Sequence, residues 1–311
     1  MLNILKKIFF ILLLSGLNLY ICEYFSNKLT SRMELRRGYR INKEVSIGFP
    51  MIRFLKILSN DRKISIWTVF IFILSFLIWC AVPLSSNLVL VENDYSLIIS
   101  ISLYFFLVAA LLFNLSESSY RKIFSENTKK LLILITFIVP VLLSIISIIL
   151  INKTTSLKEI VNSQYRYWNI LIQPLGFLTF FASTSLQFKL LGVSRKGYLS
   201  EGTGIGREGK GLDKVVEKIS VYMIIFFLII IMALVYLGGW QNLYVINGGI
   251  MLSLKFYLIF FILLLIDRII VRIDSYKMLV KINLRFLIPV SLVNFIVTFG
   301  FFILRDVYNL I

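Results

Sequence analysis

Apolar residues run in about eight stretches, each near the ~20 residues a membrane-crossing helix needs, and polar residues gather in the intervals between them. The stretches are Ile8 to Tyr24, Ile64 to Pro83, Tyr95 to Leu115, Leu131 to Ile151, Trp168 to about Phe188, Ile219 to Leu237, Met251 to Ile266 and Phe286 to Leu304. The pattern predicts an all-α fold, a polytopic membrane helix bundle of about eight transmembrane helices. It forms a single transmembrane unit over residues 1–311, with no separate soluble domain. Lysine and arginine crowd alternate intervals: Lys28 to Lys63, 116–130 with Arg121 to Lys130 at its centre, Lys189 to Lys218, and Arg268 to Arg285. The intervals between these are nearly uncharged. Basic loops stay on the side of synthesis, which places these four in the cytoplasm or matrix and both termini opposite. Lys6 and Lys7 run mildly against that assignment. They precede the first stretch as in a signal peptide, but no small-residue cleavage site follows, so the stretch reads as a retained helix.

Between the first two stretches, Phe49 to Leu58 alternates differently. Phe49, Ile52, Phe54, Leu55, Ile57 and Leu58 are apolar, and helical spacing puts Arg53 and Lys56 on one face. Begun by Pro50 and ended by Ser59, Asn60 and Asp61, such a segment suits an amphipathic helix lying in the interface plane. An ordinary loop helix is the plainer alternative. Trp67, Trp79, Trp168 and Trp240 fall toward the ends of stretches, where amphipathic rings favour the headgroup layer.

Composition narrows the chemistry. Hydrophobic residues make up 59% of the chain and the mean hydropathy is +0.88, too apolar for a charged-skinned soluble core. Lipid is the expected solvent. The net charge of +17 sits in short inter-helix loops, where topology accounts for it without a nucleic-acid partner. Cys22 and Cys80 lie in separate apolar stretches and read as small hydrophobes, with no disulfide and no metal site. Histidine is absent, which excludes zinc hydrolases and His-based triads. Inside the stretches charge is almost missing, apart from Glu23 and from Asp267 with Arg268. Ion pumps place carboxylates at mid-membrane depth, so an autonomous pump is disfavoured.

Gly204, Gly206 and Gly209 spell G-x-G-x-x-G, and Gly209 with Lys210 nearly completes a phosphate loop. A dinucleotide fingerprint needs a βαβ unit, and a phosphate loop needs Ser or Thr after its lysine. Here an apolar helix precedes and Gly211 follows. The glycines argue instead for a pliable charged loop at the membrane surface, carrying Glu201, Arg207, Glu208 and Lys210.

Read in order, Met33 to Gly38 and Gly48 to Lys56 resemble the first loop of subunit 1 of respiratory complex I, whose pattern is Q-x-R-x-G-P-N, then G-P, then G-L-x-Q-P-x-A-D-x-x-K-L. Arg36, Gly38, Gly48, Pro50 and Lys56 fall on matching positions, whereas Glu34 stands for the family's Gln and Arg53 for its Asp. Ala81, Val82 and Pro83 are similar to A-V-I-P, Ser116 to Tyr120 to S-N-S-x-Y, and Tyr236 to Trp240 to F-L-G-G-W. Arg268 with Tyr276, and Arg285 to Leu292, resemble the family's closing motifs. The likeness runs over nearly the whole length. The departures are as informative: of the family's acidic loop after helix five, only Glu201 and Glu208 have plausible counterparts. Thr136 and Val221 fall where the family carries helix-embedded glutamates, and Asn127 where it has an arginine.

The resemblance implies a membrane subunit of proton-translocating NADH:quinone oxidoreductase, forming the membrane end of a quinone-binding chamber. Its substrate would be ubiquinone. Its partners would be other complex I subunits, among them an iron–sulfur subunit at the quinone site, and membrane lipid. The chain would hold no electron carrier of its own. Arg36, Phe49, Pro50, Arg53, Glu201, Glu208 and Arg268 are then the candidates for the chamber, and Glu117, Tyr120, Lys129, Lys130, Tyr222 and Asp267 for the coupling loops. The bias toward Ile, Leu, Phe, Lys, Asn and Tyr, together with no separate targeting segment, favours the mitochondrial inner membrane, with a bacterial inner membrane as the alternative. A secondary transporter or permease is the rival reading, although the halves show no repeat of the kind such proteins use. A non-catalytic structural subunit is a third.

Overall fold

The computed structural model describes residues 2–33, 65–85, 88–114, 120–191, 212–241, 247–269 and 276–307. The expected interfacial helix over 49–58 and the glycine loop lie outside them. In chain order the helices are α1 (Leu2–Met33), α2 (Ile66–Leu77, continued by a 3-10 turn Ile78–Cys80), α3 (Ser96–Asn114), α4 (Tyr120–Asn152), α5 (Leu157–Ser163), α6 (Asn169–Ile172), α7 (Pro174–Leu190), α8 (Leu212–Tyr236), α9 (Gly248–Ile269), α10 (Tyr276–Ile282) and, after a π-turn over Asn283–Leu287, α11 (Ile288–Val307). Among the described residues there are no strands.

All eight expected stretches coincide with helix, but their lengths differ from expectation for identifiable reasons. Four helices are long and apolar enough to cross a membrane, within Lys6–Met33, Val215–Tyr236, Gly248–Asp267 and Met278–Leu304. Thr136–Asn152 with Leu157–Ser163 makes a fifth, bent by 63°. Ile66–Cys80 and Ser96–Leu111 are shorter. The stretch expected from Trp168 to Phe188 breaks at Gln173 (φ −134°, ψ 65°), because the residue before a proline is driven out of the α region. Conversely, Arg121 to Lys130 is helix rather than loop. No breaker separates it from the apolar run, and α4 reaches 33 residues, roughly 50 Å at 1.5 Å per residue. The basic segments at 212–218 and 276–285 are likewise helical.

α8 is the axis. It packs against α1, α2, α5, α6, α7 and α9, and every residue from Tyr222 to Tyr236 is buried. A helix apolar on all sides is stable only when surrounded. A second group gathers around α4, which packs on α3, α7, α10 and α11. α11 is peripheral, with Ile296, Val297 and Phe301 more than 60% exposed, a surface suited to lipid. Opposite ends of the helices alternate as the charge pattern requires. Lys7 Nζ donates to Val89 O at 2.8 Å, and Leu157 N to Ser96 Oγ at 3.0 Å. These contacts gather the start of α1 and the segment before α3 at the end remote from the basic loops.

At that same end α8 must stop inside the bundle, and its last carbonyls need partners. Gly238 and Gly239 take positive φ (70° and 50°), which glycine adopts without penalty, and Gly239 N turns back to Ala233 O at 2.9 Å. Gln164 Nε2 donates to Leu234 O at 2.8 Å, while its Oε1 accepts from Gly238 N at 2.9 Å and Asn169 N at 3.2 Å. Asn169 Nδ2 donates to Val235 O at 2.8 Å. Lys255 Nζ, 4.9 Å from the centre of the Trp168 ring, donates to Leu237 O at 2.6 Å and Gly239 O at 2.8 Å. Lys255 corrects the expectation that Glu23, Asp267 and Arg268 are the charges of the spans. It lies within α9, yet its ammonium is held at the negative end of a helix dipole.

Gln164→Leu removes one donor and strands three backbone groups, an expected loss of about 2–5 kcal/mol. Asn162→Ala on the exposed face of the same helix should stay within about 0.5 kcal/mol. Thermal unfolding of the two variants in lipid nanodiscs measures the contrast.

Candidate functional site

Of the candidates expected from the sequence, Tyr222 and Asp267 lie toward the basic ends of the helices, where α1 and α9 finish and α8 begins. Glu23, on the last third of α1, is buried and forms an ion pair with Lys218 in the second turn of α8. The Lys218 ammonium lies 5.8 Å from the centre of the Tyr222 ring, and Tyr222 packs against Phe226 at 5.8 Å between centroids. Asp267 is buried in the last turn of α9, and Lys189 at the end of α7. The apolar sequence fixes this placement. The hydrophobic runs set the depth of these helices, and the charges just beyond each run fall at the rim. In α1 and α8 the rim charges are opposite and pair.

A second constellation lies deeper, where α3, α4, α7 and α11 meet. Pro140 sits inside α4 and has no N–H to offer the carbonyl of Thr136 four residues earlier. Asn283 Nδ2, from the π-turn before α11, donates to that oxygen at 2.5 Å. Phe137 O accepts from Ser183 Oγ at 3.0 Å and Gln187 Nε2 at 3.5 Å. Gln187 Oε1 accepts in turn from the Tyr104 hydroxyl, and the Tyr104 ring stacks on Phe227 of α8 at 5.5 Å. Thr136, Ser183, Gln187, Asn283 and Tyr104 are all buried. They separate the main apolar core from a smaller cluster of Ile133, Phe137, Leu186 and Leu279.

Of the sequence candidates, the structure places Tyr222 and Asp267 as described. Tyr120, Lys129 and Lys130 stand on the first three turns of α4 and Arg268 on the last turn of α9, with only their backbone described. Arg36, Phe49, Pro50, Arg53, Glu117, Glu201 and Glu208 lie outside the described residues. The structure joins Tyr222 to the Glu23–Lys218 pair. Sequence reasoning misses Lys218, Tyr104, Gln187 and Asn283 as partners. A signal existed: Ser183 and Gln187 stand four apart on one face of α7, and Thr136 lies four before Pro140, the spacing at which proline frees a carbonyl.

A double-mutant cycle on Glu23→Gln and Lys218→Met should give a coupling of about 1 kcal/mol, the upper end for pairs partly open to solvent. Chemical unfolding of the four proteins in detergent provides the cycle.

Comparison with known proteins bears on what these ends do. A family model described as NADH dehydrogenase matches residues 6–299. The H-type subunit of the NADH-quinone oxidoreductase of Anoxybacillus flavithermus is 28% identical over 169 residues, 53% of this chain and 50% of the relative. A second H-type subunit, from Rhizobium etli, is 26% identical over 170 residues, 53% of this chain and 49% of the relative. Its counterpart in Rhizobium meliloti is 24% identical over 242 residues, 72% of this chain and 71% of the relative. The chain thus spans about half the length of the first two relatives. With the match running almost from end to end, this multi-pass helical chain belongs to the NADH dehydrogenase family.

Proposed function

We propose that this chain is the membrane subunit of a proton-translocating NADH:quinone oxidoreductase, acting as part of the enzyme rather than alone. It forms the membrane end of the quinone chamber and links the peripheral redox arm to the membrane arm. The observation that carries this reading is the family match over residues 6–299. The arrangement of the helices supports it. A quinone has an isoprenoid tail and a polar head, so its chamber must pass from apolar helix walls to a polar, cationic rim. The exposed apolar faces of the bundle supply the first and the Lys- and Arg-rich segments the second.

In this reading ubiquinone is the substrate, and it takes two electrons and two protons to become the quinol. The electrons arrive from an iron–sulfur cluster on a neighbouring soluble subunit, and no carrier is held by this chain. Arg36, Arg53 and Arg268 stabilise the negative charge that develops on the head group as electrons arrive. Phe49 and Pro50 line the approach on the interfacial segment, and the loop bearing Glu201 and Glu208 contributes to the head-group end. Glu117, Tyr120, Lys129, Lys130, Tyr222 and Asp267 join the chamber to its membrane-arm neighbours. The composition favours the mitochondrial inner membrane, with a bacterial inner membrane as the alternative.

Arg36→Ala should lower quinone reduction by the assembled complex about 10- to 100-fold, the scale of one lost charge-stabilising donor, and leave NADH oxidation by a hydrophilic acceptor unchanged. Equal quinone turnover in mutant and wild type removes Arg36 from the chamber. Purification of the chain as a lone solute carrier, with no iron–sulfur partner, overturns the function itself.

A further inference from the structure

We propose that the seam between α4, α7 and α11 is a built site for ordered water, seated on the side chains of Gln173, Asn283 and Asn294. Each of the three is at least 96% buried. Both amide atoms of Gln173, the Oδ1 of Asn283 and the Nδ2 of Asn294 have no hydrogen-bond partner in the protein. The orientation of Asn283 is fixed, because its Nδ2 donates to a carbonyl, Thr136 O, so the atom left over is an acceptor. Buried polar groups in an apolar surrounding are met by protein or by water, and a few are left bare at a cost comparable to a lost hydrogen bond.

Two of the three side chains stand where the helices are irregular. Gln173 is the residue of the break between α6 and α7, Asn283 opens the π-turn, and α4 is interrupted opposite Asn283 by Pro140. Proline breaks and π-turns are the places where water inserts into a helix ladder, and in membrane helices ordered water re-satisfies the freed groups. Near Gly176 the geometry is closer still. A Cβ built there would lie 3.0 Å from both Gln173 Oε1 and Tyr236 Oη. The two oxygens are therefore at most about 6 Å apart, a span one water can bridge. Tyr236 Oη already donates to Ser144 O at 3.2 Å, so it is an acceptor for such a water.

Along the helices the site has two levels. Asn294 follows Asn283 by eleven residues on the helix that ends as α11, and Ser147 follows Thr136 by eleven on α4. The lower level gathers Thr136, Gln187 and Asn283, and the upper gathers Gln173, Ser144 and Tyr236. Every group named is uncharged at neutral pH. The ligand chemistry matches: amides and hydroxyls offering single donors and acceptors at several angles suit water and lack the charge that an ion requires.

Two measurements test the proposal. A density map of the wild-type chain in its native membrane assembly, at a resolution that shows water, should place a peak within hydrogen-bond distance of the Gln173 amide and another at Asn283 Oδ1. Dry surroundings at both overturn it. The second is Gln173→Met, which removes no protein hydrogen bond because Gln173 makes none with its side chain. With water seated there, the substitution takes away the water's anchor on the amide and lowers the unfolding temperature by about 2–4 °C. A rise in unfolding temperature means the amide was bare, and sinks the proposal. The map decides alone where the variant does not fold.

Discussion

A helix with no polar face can stop only where its last carbonyls are met, and the end of α8 imposes that requirement on the rest of the bundle. Tyr222 to Tyr236 are enclosed on every side. In a bilayer core each unmet backbone group costs several kcal/mol. The carbonyls of Leu234, Val235, Leu237 and Gly239 are taken by Gln164 of the α5 corner, Asn169 of α6 and Lys255 of α9. Three separate segments are thereby fixed in height against one helix end. The apolar packing of α8 sets which helices surround it; the polar cap sets how far along it they sit.

A different accommodation operates in α4 and its neighbours. Pro140 and the π-turn at Asn283 each disturb a helix that would otherwise satisfy itself, and they disturb it toward each other. The carbonyl that proline releases on α4 is the one Asn283 meets. The adjacent carbonyl of Phe137 is taken by two side chains of α7. Neutral hydroxyls and amides thus hold α4, α7 and α11 together where the apolar core is divided. Such bonds are directional, so they fix the register of the three helices more sharply than interchangeable leucines and isoleucines can.

The periodicity of the chain is enough to locate all eight apolar helices, because long hydrophobic runs leave few alternatives in lipid. Their ends are less legible. Hydropathy stops α4 at Leu131, where charge begins, but charged residues are good helix formers and nothing between Tyr120 and Pro140 breaks the ladder. Hydropathy also runs the fifth stretch straight through Gln173, because it does not register the constraint proline puts on its predecessor. The Gly238–Gly239 turn is visible as a motif, whereas its partners are not. Gln164 reaches Leu234 across 70 positions and Asn169 reaches Val235 across 66, and no local pattern links them. Lys255 in particular is hidden by the hydrophobicity around it. The pairing of Glu23 with Lys218 spans 195 positions and required the fold.

These placements bear on how charge would move through the proposed enzyme. Among the described residues, Glu23 with Lys218, Asp267 and Lys189 lie toward the basic side, and Lys255, within α9, places its ammonium at the opposite cap. The side chains of Thr136 on α4 and Val221 on α8 are themselves neutral. A fixed carboxylate at that depth would need a partner to offset its desolvation, and the seam offers only dipoles. Negative charge on a reduced head group would then be met from the cationic rim. On the proposed function, a proton crossing at the level of Thr136 would travel on water or pass to a carboxylate of a neighbouring subunit. The division is a physical one: the ends of the bundle carry charge because solvent, headgroups or a helix dipole compensate it, and the middle carries hydrogen bonds because nothing there would compensate a charge.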